Sequence, residues 1–249
     1  MLHGAGATGL GGRALAPQED MSAPVTQPMV MRTSAVEFPL NEYRLQLAGR
    51  AWTILHTGNV LTHADEHLFL NEQKERLPYG VVLWPAAIVL AHEVAGRAEA
   101  FREKRVLELG AGTGLPGIVA ASFGARVVQT DRDELAMSVC MRNGDRNGVA
   151  EIDYNLVDWT EWKDARRYEW ILGSDILYGD TLHPHLRRIF ESNLAPGGRV
   201  LLSDPFRAVS LRLLEALEGN GWRITLTKWN VGEEATPRPI GVFELEPPR

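Results

Sequence analysis

Val106-Leu107-Glu108-Leu109-Gly110-Ala111-Gly112-Thr113-Gly114-Leu115-Pro116-Gly117-Ile118-Val119-Ala120 reads as a buried strand, a glycine turn and the first turns of a helix. Gly110, Gly112 and Gly114 carry no Cβ, so the backbone there can bend sharply and approach a bound nucleoside closely. Asp131 closes the next apolar strand, Arg126-Val127-Val128-Gln129-Thr130. A carboxylate at that point is placed to accept hydrogen bonds from both hydroxyls of a ribose. Glycine turn and acid together predict a site for a nucleotide-type cofactor.

Two cofactors fit this pattern. Read from Gly112, the turn is Gly-x-Gly-x-x-Gly (Gly112, Gly114, Gly117), with Asp131 about 20 residues on, which suits a nicotinamide dinucleotide. Read from Glu108, it is Glu-x-Gly-x-Gly-x-Gly, the pattern of S-adenosylmethionine enzymes. The strand ends at Leu109, so Gly110 is first in the turn, and Pro116 removes an amide where a helix start would cradle a pyrophosphate. Both features favour S-adenosylmethionine, and the turn alone leaves the dinucleotide open.

A chain of 249 residues with 45% hydrophobic residues can bury one substantial core. We expect a mobile tail over residues 1–35 and one domain over residues 36–249. The formal charge of −6 argues against a nucleic-acid surface, which takes clustered Lys and Arg, and accommodates a basic protein partner more easily. Cys140 is the single cysteine, so no intramolecular disulfide and no cysteine-rich metal site is expected. No apolar run approaches the roughly 18 residues of a membrane span. No basic-then-apolar leader opens the chain, so the cytoplasm is the expected location. Nothing in the sequence specifies an oligomer, and a monomer is the default expectation.

Along the chain, Met1 to Ser34 is rich in Gly, Ala and Pro without periodicity, and Met21, Met29 and Met31 leave the translation start open. From Asn41 the pattern alternates. Tyr43, Leu45 and Leu47 share a face, Ala48-Gly49-Arg50 turns, and Trp52, Ile54 and His56 return, predicting a β-hairpin. His63-Ala64-Asp65-Glu66-His67 has the ligand spacing of a zinc-peptidase class, but no helix is evident to present both histidines, and it reads as a solvated loop. Pro85 suits the first turn of a helix carrying Ile88, Ala91 and Val94, which puts Trp84 at the helix entrance as a packing anchor or a cofactor wall.

After the glycine turn strand and helix alternate, which implies right-handed crossovers and a parallel sheet. Cys140 falls on the buried stripe of the helix after Asp131 and reads as a core residue. Further strands are expected at Asp153–Val157, Tyr168–Leu172 and Val200–Leu202, with helices over Leu182–Phe190 and Val209–Gly219 and a stop at Pro196-Gly197-Gly198. Trp222–Thr227 and Gly241–Leu245 read as a closing antiparallel pair around a polar loop near Gly232–Pro239. Four strand ends carry Asp131, Asp158, Asp175 and Asp204, all at the sheet edge where open α/β folds bind ligands. Asp204, ahead of Pro205, is expected only to cap the next helix or turn. Tyr79 and Phe206 read first as packing residues, with a place beside the substrate channel as the alternative.

Taken together the chain resembles the seven-stranded S-adenosylmethionine-dependent methyltransferases. More narrowly it is similar to the small protein-lysine methyltransferases of family 16, which modify non-histone proteins such as chaperones, elongation factors and electron-transfer flavoprotein. The resemblance rests on Leu83-Trp84-Pro85-Ala86-Ala87, Val106 to Leu115, Thr130-Asp131, Asp158-Trp159 and Ile171-Leu172-Gly173-Ser174-Asp175-Ile176-Leu177-Tyr178, and covers about Asn41 to the C-terminus. It implies an α/β fold with a Rossmann-like seven-stranded sheet, mostly parallel with an antiparallel C-terminal hairpin, helices on both faces and an N-terminal β-hairpin. It also implies that Trp84, Glu108, Gly110, Ala111, Gly112, Gly114, Asp131, Asp158, Trp159 and Ser174 hold S-adenosyl-L-methionine, while Asp175 and Tyr178 face a protein substrate and align its lysine. The segment Asp204-Pro205-Phe206-Arg207 is closer to flavoprotein-modifying relatives, and Trp84-Pro85-Ala86-Ala87 to chaperone-modifying ones. Small-molecule, arginine or histidine N-methylation on the same scaffold is the alternative, as is a non-catalytic module that binds the donor.

Overall fold

The computed structural model describes residues 13–15, 29–32, 37–59, 79–149, 151–232 and 237–248. The strands β1 (Arg13–Leu15) and β2 (Met29–Arg32) precede a hairpin of β3 (Glu37–Leu47) and β4 (Arg50–His56). Short strands β5 (Gly58–Asn59) and β6 (Val82–Leu83) lead to helices α1 (Pro85–Gly96) and α2 (Ala98–Phe101). Strand and helix then alternate through β7 (Arg105–Leu109), α3 (Leu115–Ser122), β8 (Arg126–Asp131), α4 (Glu134–Arg146) and β9 (Ile152–Leu156). The chain closes with β10 (Tyr168–Ser174), α5 (His183–Asn193), β11 (Leu194–Asp204), α6 (Ala208–Gly219), β12 (Arg223–Val231) and β13 (Arg238–Glu246).

The main sheet runs in the order β1-β12-β13-β11-β10-β7-β8-β9, and every pairing is parallel except the two that β13 makes with β11 and β12. The chain builds outward from β7 to β9, then crosses back to lay β10 against the other side of β7. That reversal opens a crevice at the carboxyl ends of β7 and β10, the position where doubly wound sheets bind ligands. Burial on both faces explains the apolar runs. Val106, Val127, Leu172 and Leu201 pack with α1 and α3, while Leu107, Val128, Ile171 and Leu202 pack with α5 and α6.

Two expectations need correction. The periodicity-free tail contributes strands among its described residues, so the sheet has eight strands rather than seven. Arg13–Leu15 pairs in parallel with Trp229–Val231, where β12 would otherwise be a bare edge, and Met29–Arg32 pairs antiparallel with β3. Arg13 ion-pairs with Glu93 at 3.0 Å and lies 5.5 Å from the Trp229 ring centroid. Strands of three and four residues are too short to show alternation in sequence. The fifth parallel strand is also longer than expected, because Pro196-Gly197-Gly198 is a bulge within it. The register jumps from Tyr168↔Leu194 to Trp170↔Arg199. The zinc-like His63–His67 segment lies outside the described residues. Among the described residues no helix is long and apolar enough to cross a membrane.

The hairpin forms as its alternation predicts, with Leu45↔Trp52 and Tyr43↔Ile54 paired across a two-residue turn in which Ala48 (φ 53°) and Gly49 (φ 74°) are both left-handed. It is joined to the main fold by two side-chain amides, one on α4 and one at its C-terminal cap, that stand in for a neighbouring strand. Asn143 accepts from the Leu55 amide at 2.7 Å and donates to the Leu55 carbonyl at 3.0 Å and the Thr113 carbonyl at 2.8 Å. One turn on, Asn147 makes the same reciprocal pair with Thr53, at 3.0 and 2.9 Å.

Side-chain alternation along β7 puts Glu108 on the α3 face, beneath the glycine turn. Its Oε2 accepts from the Gly117 amide at 3.1 Å and from Gln129 Nε2 at 2.5 Å, and the same Gln129 nitrogen donates to the Gly114 carbonyl at 2.8 Å. Cys140 Sγ donates to Gln129 Oε1 at 3.1 Å, so the thiol is a core group, as expected, and burial pushes its pKa well up. A Cβ at Gly114, where φ is +82°, would sit 2.5 Å from that sulfur. Glu108 and Gly114, expected at the cofactor, therefore brace the turn from below and do not line the cavity above it. Glu108 Oε1 is buried without a partner, and burial pushes the carboxyl up to about 8 against the opposing pull of Gln129 and Gly117.

Two predictions follow from this packing. Asn143→Ala orphans three buried backbone groups and should cost about 2–4 kcal/mol of unfolding free energy, read by denaturant titration. A loss under about 1 kcal/mol would show that the hairpin is held by apolar contacts alone. Glu108 holds its proton more tightly folded than unfolded, so its contribution is full below its ordinary value of 4.5 and is lost as pH rises towards about 8. Glu108→Gln removes that dependence. Between those pH values the wild type should lose on the order of 2–4 kcal/mol relative to the variant, and parallel curves would mean that Glu108 is ionised throughout.

Candidate functional site

The crevice between β7 and β10 deepens into a cavity of about 660 Å³. Its floor is the glycine turn. At Gly112 (φ +56°) a Cβ would stand 2.9 Å from the Gly80 carbonyl, because the segment before β6 crosses directly over the turn. Only glycine fits between these two stretches of backbone. Asp131 fixes the turn from the side. Its Oδ2 accepts from the Gly112 amide at 3.0 Å and its Oδ1 from the Asp133 amide at 3.0 Å. Burial raises its pKa, and the Asp133 and Gly112 amides pull the other way.

The remaining walls come from segments far apart in sequence. Trp84 stands just before Pro85, in extended conformation, and its ring nitrogen donates to the Tyr79 carbonyl at 3.2 Å. It is only half-buried and lines the cavity. Asp158 and Trp159, which follow β9, line the cavity as well. Asp158 Oδ1 accepts from the amide and the hydroxyl of Thr160, both at 2.8 Å, which holds its carboxyl below the usual range and fixes the short turn carrying Trp159. Gly110, Ala111 and Ser174 also line the cavity.

The expected acceptor residues share the same cavity. Asp175 follows β10 in left-handed conformation (φ 56°), its amide donating to the Ser203 carbonyl at 2.8 Å, and Tyr178 stands at the rim, 54% exposed. Burial raises the Asp175 pKa, and the Arg207 guanidinium opposes it. Arg207 lines the cavity and meets Asp175 with both terminal nitrogens. Sequence reasoning assigned Arg207 no role, since 32 residues separate the pair and only the adjacency of β10 and β11 joins them. Arg132 and Thr113 also line the cavity unanticipated, although each adjoins a predicted residue. Tyr79, read as packing, is 52% exposed and lines the cavity, because the segment before β6 runs over the turn. Phe206 does pack, edge-on against Phe243 at 5.8 Å. Asp204 caps as expected, its Oδ1 accepting from the Arg207 amide at 2.8 Å and its Oδ2 from the Ser210 hydroxyl at 2.6 Å. Among the described residues no cluster of three or more His, Cys, Asp or Glu is arranged to hold a metal.

Comparison with known proteins agrees with this geometry. The chain is 32% identical over 148 residues to protein N-lysine methyltransferase METTL21A of Xenopus tropicalis, a match covering 57% of this chain and 68% of that one. It is 37% identical over 106 residues to histone-arginine methyltransferase METTL23 of Xenopus laevis, covering 40% and 45%. Among solved structures, a ribosomal protein L11 methylase from Lactobacillus delbrueckii subsp. bulgaricus superposes with a TM-score of 0.53 at 22% identity, covering 72% of this chain and 92% of that one, a likeness of fold. The family model described as lysine methyltransferase matches residues 62–210, a span running from before Trp84 through Arg207, and the chain belongs to that family.

Proposed function

We propose that this chain transfers a methyl group from S-adenosyl-L-methionine to the side-chain nitrogen of a lysine in a protein substrate, with Asp175 and Tyr178 receiving the acceptor. The observation that carries the reading is that the glycine turn, Asp131, Asp175 and Tyr178 all border one cavity. Donor-binding and acceptor-facing groups are thus within reach of a single ligand pair.

The residues present suit the donor. Gly110, Ala111 and Gly112 present little more than backbone to the cavity, which suits close approach of a nucleoside, and the Asp131 carboxylate borders the same cavity as the acceptor for its ribose hydroxyls. Trp84 and Trp159 offer apolar walls to the rest of the molecule, and Ser174 a hydroxyl. When bound, the donor supplies an electrophilic methyl on a positively charged sulfur. A free lysine, with a pKa of about 10.4, arrives protonated and must present a neutral nitrogen in line with that methyl. Asp175 is the group that accepts a hydrogen bond from the amine and passes its proton towards solvent at the Tyr178 rim. Most of the rate then comes from alignment within a walled site. The overall charge of −6 favours approach of a basic segment of the partner. Cytoplasmic residence belongs to the same proposal, supported by the single, buried cysteine.

Asp175→Ala should abolish transfer while leaving donor affinity, read by isothermal titration, within a few fold of wild type. With labelled donor and a cell extract, wild type should label discrete protein bands, and hydrolysis of those bands should release methyl-lysine. Release of methyl-arginine or methyl-histidine instead would assign a different acceptor, and wild-type turnover in Asp175→Ala would remove Asp175 from the reaction.

A further inference from the structure

We propose that Arg207 is a positioning residue for the acceptor step: from the turn after β11 it fixes the Asp175 carboxylate against the cavity wall in the orientation that receives the amine. The inference rests on the reading of Asp175 as the amine-facing acid. The two residues meet because β10 and β11 are parallel neighbours whose ends are in register, Ser174 opposite Ser203. Arg207 Nη1 donates to Asp175 Oδ1, and Nη2 donates to Oδ2 at 3.2 Å. Contact at two points by a planar group fixes the rotation of the carboxylate, which a single ammonium does not. Each oxygen keeps a further lone-pair direction, so the held acid can still accept from an N–H in the cavity.

The backbone on both sides is shaped for this contact. Asp175 (φ 56°) and Phe206 (φ 64°) are both left-handed, and for a bulky aromatic residue that conformation persists only where its surroundings impose it. Here they do. Asp204, fully buried, accepts from the Arg207 amide and the Ser210 hydroxyl, while the Phe206 ring lies where a Cβ on Gly241 would come within 2.8 Å of it. The turn so held carries the guanidinium to the cavity, where it also lies 3.6 Å from Asp204 Oδ2. The charged groups that act on Asp175 are Arg207 and Asp204 from β11 and its turn and Arg238 from β13, with Tyr178 in the same loop as Asp175. Burial raises the Asp175 pKa and Arg207 is foremost among the groups opposing it, so loss of the guanidinium raises it further.

Wild type, Asp175→Ala, Arg207→Ala and Arg207→Lys are compared as full-length chains with tritium-labelled S-adenosylmethionine and the proteins of a cell extract, and the Asp175 carboxyl is titrated by carbon NMR. Arg207→Ala should lower the labelling rate of a given band roughly tenfold or more with donor affinity within about threefold of wild type. It should also move the Asp175 midpoint up by about one pH unit or more. Arg207→Lys keeps the charge without the two-point contact, and should restore the titration but only part of the rate. An Asp175 midpoint unmoved by Arg207→Ala overturns the proposal whatever the rate. Unchanged turnover in Arg207→Ala beside loss in Asp175→Ala overturns it alone, whereas unchanged turnover in Asp175→Ala overturns the acceptor reading as well. Should wild type label no band, the acceptor reading falls and the proposal that rests on it falls too.

Discussion

Between Leu109 and Leu115 the backbone is gripped from above and below, and the rest of the site depends on that grip. The Gly80 carbonyl presses on Gly112 from one side, while Cys140 and Gln129 press on Gly114 from the other. The path through this gap is left-handed at Gly110, Gly112 and Gly114, and glycine is what lets it pass. Because the turn is fixed by hard contacts on both sides, the cavity floor is in place before any ligand arrives. That is how a site gains affinity and alignment without ordering itself on binding.

The same turn ties the N-terminal hairpin to the enzyme core. Asn143 contacts the Thr113 carbonyl and both backbone groups of Leu55, so one buried amide links hairpin, helix and turn. Polar groups in such a position are stabilising only when fully satisfied, and Asn143 and Asn147 are satisfied by backbone rather than by mobile side chains. The hairpin is therefore a structural buttress for the cavity floor rather than an independent appendage. Glu108 is the contrasting case, a buried carboxyl with one oxygen unpartnered, which leaves the floor sensitive to pH.

Much of this was legible in the sequence where a single residue or a short period carries the signal. The alternation of Tyr43, Leu45 and Leu47 against Trp52 and Ile54 gave the hairpin, and Asp131, Asp158 and Asp175, each at or just after a strand end, marked the edge that became the cavity. What escaped depends on three dimensions. Whether Glu108 faces the ligand or the core turns on one residue of strand phase, and its motif position suggested the wrong face. Pro196-Gly197-Gly198 has the composition of a helix stop, yet a bulge uses the same residues. Arg207 lies in a turn whose importance appears only when β10 and β11 are set side by side. Tyr79 reaches the cavity only because its segment crosses over a turn more than 30 residues downstream.

The short strand Arg13–Leu15 has a consequence separate from chemistry. It hems the rim of the sheet farthest from β9, clasping Trp229 and Glu93 with a single guanidinium. Were proteolysis to trim it, Glu93 would retain Arg97 and Trp229 as donors and the distant cavity would keep its walls, but the peptide groups of Trp229–Val231 would lie bare. A bare strand margin invites the backbone of another molecule. That margin is separated from the β7–β10 crevice by β12 itself, β13 and β11, so its exposure would bear on self-association while leaving the chemistry's own walls untouched.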